Sequence, residues 1–286
     1  MAPAPHRPFL AACVQLRAGR EVAPNVEAAL ALIGQAAASG AEFIATPENT
    51  SLMEAKRELL FEKTKPESDD VALAAFRTAA RDKKIWLLVG SLPIRIAPEK
   101  LANRSFLIAP DGRVAARYDK IHMFDVDLGN GEKYAESRNF EPGAQAVVAD
   151  LPWGRLGMTV CYDLRFPYLY RALAHAGARF ITIPAAFTKP TGEAHWHVLL
   201  RARAIETGSF VIAPAQGGRH ENGRDTFGHS LIVAPWGEVI AEAGIEPGIV
   251  MAEIDPGKID EARGRVPSLD HDRAFTVSGL PEKAAS

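Results

Sequence analysis

The sequence predicts an α/β fold, a four-layer α-β-β-α sandwich of two mixed sheets related by an internal pseudo-two-fold duplication. Three observations lead there. First, one unit of helix, glycine stop, apolar strand and proline occurs twice. Residues 25–38 carry helical apolar spacing, Gly40 ends them, and residues 41–48 read as a buried strand stopped at Pro47; residues 171–176, Gly177 and residues 178–185 with Pro184 repeat the order. Second, Ser105-Phe106-Leu107-Ile108-Ala109-Pro110-Asp111-Gly112-Arg113-Val114 is echoed by Ser230-Leu231-Ile232-Val233-Ala234-Pro235-Trp236-Gly237-Glu238-Val239. Each reads as a hairpin, with glycine where a positive φ is needed. Third, runs such as Ile85-Trp86-Leu87-Leu88-Val89 are continuously apolar instead of alternating, as strands covered on both faces require.

Taken in chain order, residues 9–15 form a first strand with Cys13 inside it, followed by the helix 25–38 and the strand 41–48. Residues 71–83 have helical spacing and lead into the strand 85–90, and the first hairpin spans 105–114. The apolar run that ends at Cys161 is a strand, the helix 168–176 follows a polar turn, and helix 199–207 leads into strand 210–213 before the second hairpin at 230–239. Residues 9–266 are expected to form a single domain and residues 267–286 a C-terminal tail. The small, polar or proline-bearing ends, 1–8 and 278–286, read as mobile.

With 286 residues, 47% hydrophobic and 24% charged, the chain has ample material for a large core. A net charge of −2 and an isoelectric point near 6.5 give no electrostatic reason to expect nucleic acid or an anionic membrane as partner, so the expected partner is a small molecule. The two cysteines, Cys13 and Cys161, are far apart and form no Cys-x-x-Cys motif, and no charged-then-apolar segment opens the sequence; a reducing cytoplasm is the expected location. No His-x-x-x-His and no carboxylate cluster at ligand spacing points to a metal, and no cofactor is expected.

Cys161 stands at the end of its apolar run, just before a turn into a helix, the placement that lifts one side chain out of a sheet and aims the following N–H groups at what it attacks. Glu48 also stands at a strand end, and ligands of open α/β sheets collect beyond the carboxyl ends of strands. A thiol with an ordinary pKa of about 8.5 is only slightly ionised at neutral pH, so a carboxylate to take its proton and a cation to favour thiolate are both useful neighbours.

Three segments, Thr46-Pro47-Glu48-Asn49, Arg117-Tyr118-Asp119-Lys120-Ile121-His122 and Cys161-Tyr162-Asp163-Leu164-Arg165-Phe166-Pro167, together resemble the Glu-Lys-Cys triad of the nitrilase, or carbon–nitrogen hydrolase, superfamily. Ala135-Glu136-Ser137 matches that family's second active-site glutamate. Ala194-His195-Trp196-His197-Val198-Leu199-Leu200-Arg201-Ala202-Arg203-Ala204-Ile205-Glu206, with Gly218-Arg219-His220 and Gly228-His229-Ser230, looks like the Nit branch, whose members hydrolyse amides. The resemblance runs over residues 9–266. It implies a nitrilase-like sandwich, Cys161 as nucleophile, Glu48 as base and Lys120 as the cation. It also implies that Glu136 orients Lys120 or the substrate, and that the Tyr162 N–H helps hold the developing oxyanion. Within the branch the chain looks most like the deaminated glutathione amidases, which cut the side-chain amide of an α-keto peptide. The sister activity is an ω-amidase acting on 2-oxoglutaramate or 2-oxosuccinamate. From a different class, the chain could be a non-catalytic binding module that keeps the sandwich for assembly, against which three filled triad positions speak.

Both amide substrates are anionic, so basic groups are expected at the pocket; Arg165, Phe187, His195, Arg219 and His220 are the expected substrate-binding residues, and the resemblance implies a homodimer or higher homo-oligomer in which the tail 267–286 is suited to exchange between subunits. One departure is His197, where many Nit-branch members carry glutamate. Asp163 and Arg165 are expected to pair across the turn after Cys161, and Arg203 with Glu206 on a solvated or interface helix face. His122 and His195 read as hydrogen-bonded structural histidines, not as partners in a Cys-His dyad.

Overall fold

The computed structural model describes residues 7–129 and 131–279; the ends expected to be mobile lie mostly outside these. One six-stranded sheet contains β1 (Phe9–Gln15), β2 (Phe43–Ala45), β3 (Trp86–Ala97), β4 (Lys100–Ile108) and β5 (Val114–Asp119) in that order, with the late strand β16 (Gly248–Ile254) added antiparallel to β1. Short β6 (Asp125–Asp127) and β7 (Lys133–Ala135) form a separate ribbon. The second six-stranded sheet places β8 (Val147–Leu151), β9 (Gly154–Met158), β10 (Ala178–Thr182) and β11 (Phe210–Ala213) beside β14 (Leu231–Val233) and β15 (Val239–Glu242). A further ribbon joins β12 (Gly217–Arg219) to β13 (Asp225–Phe227).

The two sheets are copies of one design. Strands β1, β2 and β3 are parallel and are followed by antiparallel β4 and β5; β9, β10 and β11 are parallel and are followed by antiparallel β14 and β15. Each copy also carries an antiparallel edge strand, β16 on one and β8 on the other. The connecting helices correspond too. α1 (Val22–Ala38) and α3 (Val71–Lys83) link the parallel strands of the first copy, and α4 (Pro167–His175) and α5 (Lys189–Thr207) those of the second. Short α2 (Arg57–Lys63) and the late α6 (Gly257–Arg265) lie outside this correspondence.

Burial on both faces explains the apolar strands. In β1, Ala12 and Val14 meet Ile33, Phe76 and their helix neighbours, whereas Phe9, Ala11 and Cys13 belong to the core shared with Met158 and Phe180 of the opposite sheet. That gives the expected four layers. Asp70 caps α3 by accepting the Leu73 N–H at 2.7 Å. Among the described residues, no helix is long and apolar enough to cross a membrane.

Some boundaries differ from the sequence reading. Only Phe43–Ala45 of residues 41–48 pairs as strand, because Pro47 turns the chain away and leaves Glu48 beyond the sheet. β3 continues past Gly90 to Ala97 through a register shift between Val89 and Leu92. Gly90 permits the close approach of both site-bearing strand ends. A Cβ there would stand 1.9 Å from the Thr46 carbonyl oxygen and 2.4 Å from Pro184 Cβ. Gly90→Ala is therefore expected to cost about 3 kcal/mol or more, at or above the upper end of ordinary overpacking, and to lower kcat by displacing Pro47 and Glu48. Urea unfolding and steady-state rates check this; a variant with wild-type stability would show that the two strand ends need no such contact.

Beyond the last helix, Arg171 of α4 donates to the Ser268 carbonyl oxygen at 2.7 Å and pairs with Asp272, which also meets His175 Nε2 at 2.7 Å. The described part of the tail thus lies along α4 of its own chain.

Candidate active site

Three strand ends of the duplicated sheets deliver the chemistry to one place. Glu48 follows β2, Lys120 follows β5 and Cys161 follows β9. All three are buried, at 3%, 2% and 5% exposure, so each charge needs a partner inside the protein. Lys120 Nζ donates to Glu48 Oε1 at 3.0 Å and to Glu136 Oε2 at 2.7 Å. Asn103 Nδ2 donates to the same two carboxylates, at 3.0 Å to Glu48 Oε1 and 3.0 Å to Glu136 Oε1. The Ala186 N–H closes the Glu48 shell by donating to Oε2 at 3.0 Å, and the Phe124 N–H donates to Glu136 Oε2 at 2.7 Å. Cys161 stands beside Glu48, close enough for the carboxylate charge to act on its thiol.

These contacts set the protonation states. Burial pushes the Cys161 thiol up, the Glu48 charge beside it pushes it further, and Lys120 only partly opposes them, so the thiol stays well above its ordinary value. Burial alone would raise Glu48, but Lys120, the neighbouring Cys161 thiol and Arg224 together hold it below the usual carboxylate range. Burial would lower Lys120, yet Glu136 and Glu48 outweigh it and raise the ammonium's pKa. The resting site therefore holds a carboxylate, an ammonium and, beside them, a neutral thiol.

A pH profile follows from these directions. The depressed Glu48 contributes stability and base function that are present above the ordinary glutamate pKa of about 4.3 and are lost as pH falls through its lower folded value. The raised Lys120 contributes below about 10.4 and is lost only as pH rises through its higher value. With the thiol also raised, kcat/KM is expected to stay flat from about pH 5 to 9, with no thiolate limb near 8.5. An increase centred near the free-thiol value in a pH–rate series would overturn this assignment.

The turn after Cys161 is built to hold the sulfur out. Cys161 has φ 50°, in the left-handed region that a branched or bulky side chain resists, and its N–H donates to the Pro184 carbonyl oxygen at 2.9 Å. Asp163, fully buried, accepts from the Val160 N–H at 2.8 Å, the Tyr118 hydroxyl at 2.6 Å, and His122 through its N–H at 3.1 Å and Nδ1 at 2.7 Å. This carboxylate ties the Cys161 turn to the segment that carries Lys120. The expected Asp163–Arg165 ion pair is thus replaced by Tyr118 and His122, and Arg165 turns toward the cavity. Arg203 is corrected as well. It is 5% exposed, and besides pairing with Glu206 at 3.0 Å it donates through Nε and Nη2 to the Leu164 carbonyl oxygen, bracing the turn from behind instead of lining a solvated face.

A cavity of about 650 Å³ opens above the cluster, and Glu48, Lys120, Glu136 and Cys161 all line it. Of the residues expected to contact substrate, Tyr162, Arg165, Phe187 and Arg219 line it as well. The Arg165 guanidinium lies 5.4 Å from the Phe187 ring centre and donates to His195 Nδ1 at 3.2 Å, so His195 stands behind Arg165 and outside the cavity lining. His220 is not brought to the cavity. It is 3% exposed, its Nδ1 meets the Ala18 carbonyl oxygen at 2.8 Å, and its Nε2 meets Thr226 Oγ1 at 2.7 Å. Such a histidine locks its loop and cannot reach a substrate carboxylate.

Two site residues escaped the sequence reading. Asn103 is a fully polar residue in a strand otherwise buried, which was the available signal. Arg224 belongs to the polar loop 219–225. Its guanidinium donates to the Ala186 carbonyl oxygen and lies 5.1 Å from the Tyr134 ring centre at the cavity wall. Its part in holding Glu48 ionised depends on a fold that brings position 224 near position 48.

The carbon-nitrogen hydrolase family matches residues 10–264. A protein from Synechocystis sp. named deaminated glutathione amidase is 41% identical over 272 residues, 93% of this chain and 98% of that protein. One of the same name from Yersinia enterocolitica is 43% identical over 251 residues, 87% of each. Among solved structures, the Caenorhabditis elegans NitFhit protein superposes with a TM-score of 0.89 at 33% identity, over 94% of this chain and 66% of that one. A mutant of the amidase from Nesterenkonia sp. AN1, with the acetamide moiety of fluoroacetamide added covalently at its active-site cysteine, matches with a TM-score of 0.78 at 27% identity over 95% of both chains. Extended over nearly its whole length by the family and by relatives above 40% identity, the chain belongs to the carbon-nitrogen hydrolases, enzymes that hydrolyse carbon–nitrogen bonds other than peptide bonds.

Proposed function

We propose that this hydrolase removes ammonia from the side-chain amide of an α-keto peptide of the deaminated glutathione kind, through a thioester on Cys161. The observation that carries the reading is the buried Glu48–Lys120–Glu136 cluster with Cys161 beside it, all four lining one cavity together with Arg165, Arg219 and Arg224. Glu48 takes the thiol proton as sulfur attacks the amide carbon. Negative charge then develops on the carbonyl oxygen, where Lys120 and the Tyr162 N–H stabilise it; one such donor contributes about 3–4 kcal/mol of barrier lowering. The Cys161 and Asp163 N–H groups on either side are committed to Pro184 and Val160 carbonyl oxygens, which supports Tyr162 as the turn's donor to the oxyanion. Protonated Glu48 returns its proton to the departing nitrogen, ammonia leaves, and a thioester remains. Water, deprotonated by Glu48, attacks the thioester and frees the acid and the thiol. Glu136 fixes Lys120 in place.

The names of the relatives from Synechocystis sp. and Yersinia enterocolitica support the substrate, as does a cavity roomy enough for a tripeptide-sized ligand. Arg165 and Arg224 on the lining are cations that an anionic substrate can meet. The test compares kcat/KM, read as ammonia release, for deaminated glutathione and for 2-oxoglutaramate. Deaminated glutathione is expected to be preferred by about tenfold or more, equivalent to about 1.4 kcal/mol. A tenfold preference the other way would make the chain an ω-amidase.

We further read the protein as a homo-oligomer that works in the cytoplasm. Exposed apolar side chains on the outer helices, Tyr168 of α4 with Val198 and Ile205 of α5, support the first point. Light scattering that gives a monomer mass at micromolar concentration would refute it.

A further inference from the structure

Away from the catalytic cavity, three side chains distant in sequence present metal-ligating atoms to one point. His197 projects from α5, His229 stands in the loop between β13 and β14, and Glu242 ends β15. Glu242 Oε1 lies 2.9 Å from His197 Nε2 and 2.8 Å from His229 Nδ1, and one ligand atom from each residue lies within 4.8 Å of the other two. None of the three lines the catalytic cavity.

We infer that His197, His229 and Glu242 form a binding site for a divalent transition cation of the zinc type, with an open position for water. The donor set is the argument. Two imidazoles and a carboxylate are ligands that zinc accepts in tetrahedral sites with a fourth position left to solvent, at about 2.0–2.2 Å from each donor atom. Donor atoms around a tetrahedral ion at that radius stand a few tenths of an ångström further apart than the present hydrogen bonds, a shift that side-chain rotation supplies. Ion entry exchanges the two N–H···O contacts for coordinate bonds. Each imidazole then bears its proton on the other ring nitrogen and stays neutral, and Glu242 stays ionised.

Access and support are both present. The three side chains are 34%, 30% and 37% exposed, so an ion and its water can reach them. His229 is held firmly: its backbone has φ 54°, its N–H donates to the Gly244 carbonyl oxygen at 2.9 Å, its ring stacks on Phe227 at 4.4 Å, and its carbonyl oxygen accepts the Trp196 indole N–H at 2.8 Å. His197, the position where the family resemblance leads one to expect glutamate, supplies the second imidazole. An ion here clips α5 to the β14–β15 hairpin. Trp196, next to His197, packs against the cavity residue Phe187 with ring centres 4.9 Å apart, so the clip would stiffen the wall behind the substrate.

The experiment titrates Zn²⁺ alone into the chelator-stripped full chain by calorimetry, with Co²⁺ absorption as a spectroscopic readout. One ion per chain is expected in the wild type and in Cys161→Ala, with a Co²⁺ spectrum lacking thiolate charge transfer. Binding is expected to weaken about 100-fold or more in His197→Gln and in Glu242→Gln, since loss of even an outer partner of a ligand costs 10–100-fold. Zn²⁺ should also raise the melting temperature of the wild type but not of His197→Gln, because a ligand stabilises only the state that binds it. The inference is overturned if the wild type shows no saturable Zn²⁺ binding, if His197→Gln binds as the wild type does, or if binding disappears in Cys161→Ala. The readout does not depend on which amide the enzyme cuts.

Discussion

Cys161→Ala is expected to lower kcat for amide hydrolysis by about 10⁴-fold or more while leaving the melting temperature within a few degrees of the wild type. Removing a nucleophile that acts in concert with its base removes most of the catalysis the group as a unit supplies, and what survives comes from binding and the oxyanion donors alone. Folding should tolerate the change because the sulfur is lost from the edge of a cavity, not from a packed interior. Cys13 is the internal control. It is fully buried between the sheets, its thiol faces the Leu231 carbonyl oxygen at 3.8 Å, and burial raises its thiol far beyond reach of neutral pH. Cys13→Ala should therefore keep kcat near the wild-type value. Ammonia release and intact-mass detection of an acylated chain separate the two. If Cys161→Ala retains the wild-type rate, or if the acyl group is found on Cys13, the nucleophile assignment is wrong.

Lys120→Met is expected to damage stability as well as rate. The ammonium sits between Glu48 at 3.0 Å and Glu136 at 2.7 Å, with its own side chain 2% exposed. Without it two carboxylates share one buried site with only Asn103 bridging them. Breaking a buried pair in this way costs about 3–5 kcal/mol, because the two carboxylates left behind lose the ammonium that offset both of them. Loss of an oxyanion donor should lower kcat by a further 10²–10³-fold, on the order seen for one such donor. The sign of the pH effect identifies the cause. With Lys120 gone, Glu48 loses the interaction that holds it low, so burial raises its pKa and the stability deficit should shrink as pH falls from about 8 to 5. Combining Lys120→Met with Glu136→Gln should recover much of the stability and none of the rate. Chemical denaturation at two pH values measures both; a deficit that is independent of pH would mean that lost packing, not stranded charge, is responsible.

The duplicated architecture was legible because its signals are local. Glycine stops at Gly40 and Gly177, prolines at Pro47 and Pro184, and continuous apolar runs each follow from a few adjacent residues, and the observed sheets repeat one strand order. What local signals misjudged were lengths. Residues 41–48 pair over only three positions, and β3 runs on to Ala97, because strand extent is decided by the neighbour that supplies hydrogen bonds and not by the strand's own residues.

The candidate site divides in the same way. Glu48 and Cys161 could be picked out because each stands at the end of a recognisable strand, and Lys120 because its segment resembles that of the carbon–nitrogen hydrolases. Asn103, Arg224 and the partners of Asp163 could not. His220, adjacent to Arg219 in a basic loop, pointed in sequence to a substrate contact and is instead a buried brace between Ala18 and Thr226.

The order of residues by itself determined two like halves and the strand ends where chemistry gathers, since periodicity and turn chemistry act within a few positions of the chain, and its likeness to the carbon–nitrogen hydrolases singled out the members of the catalytic cluster. Only the tertiary structure decided which charges neutralise one another across gaps such as that between Glu48 and Lys120, which histidines face solvent, and which line a cavity. The reason is physical: the protonation and orientation of a buried polar group are set by whatever lies within a few ångströms of it, and those neighbours come from strands that only folding brings together.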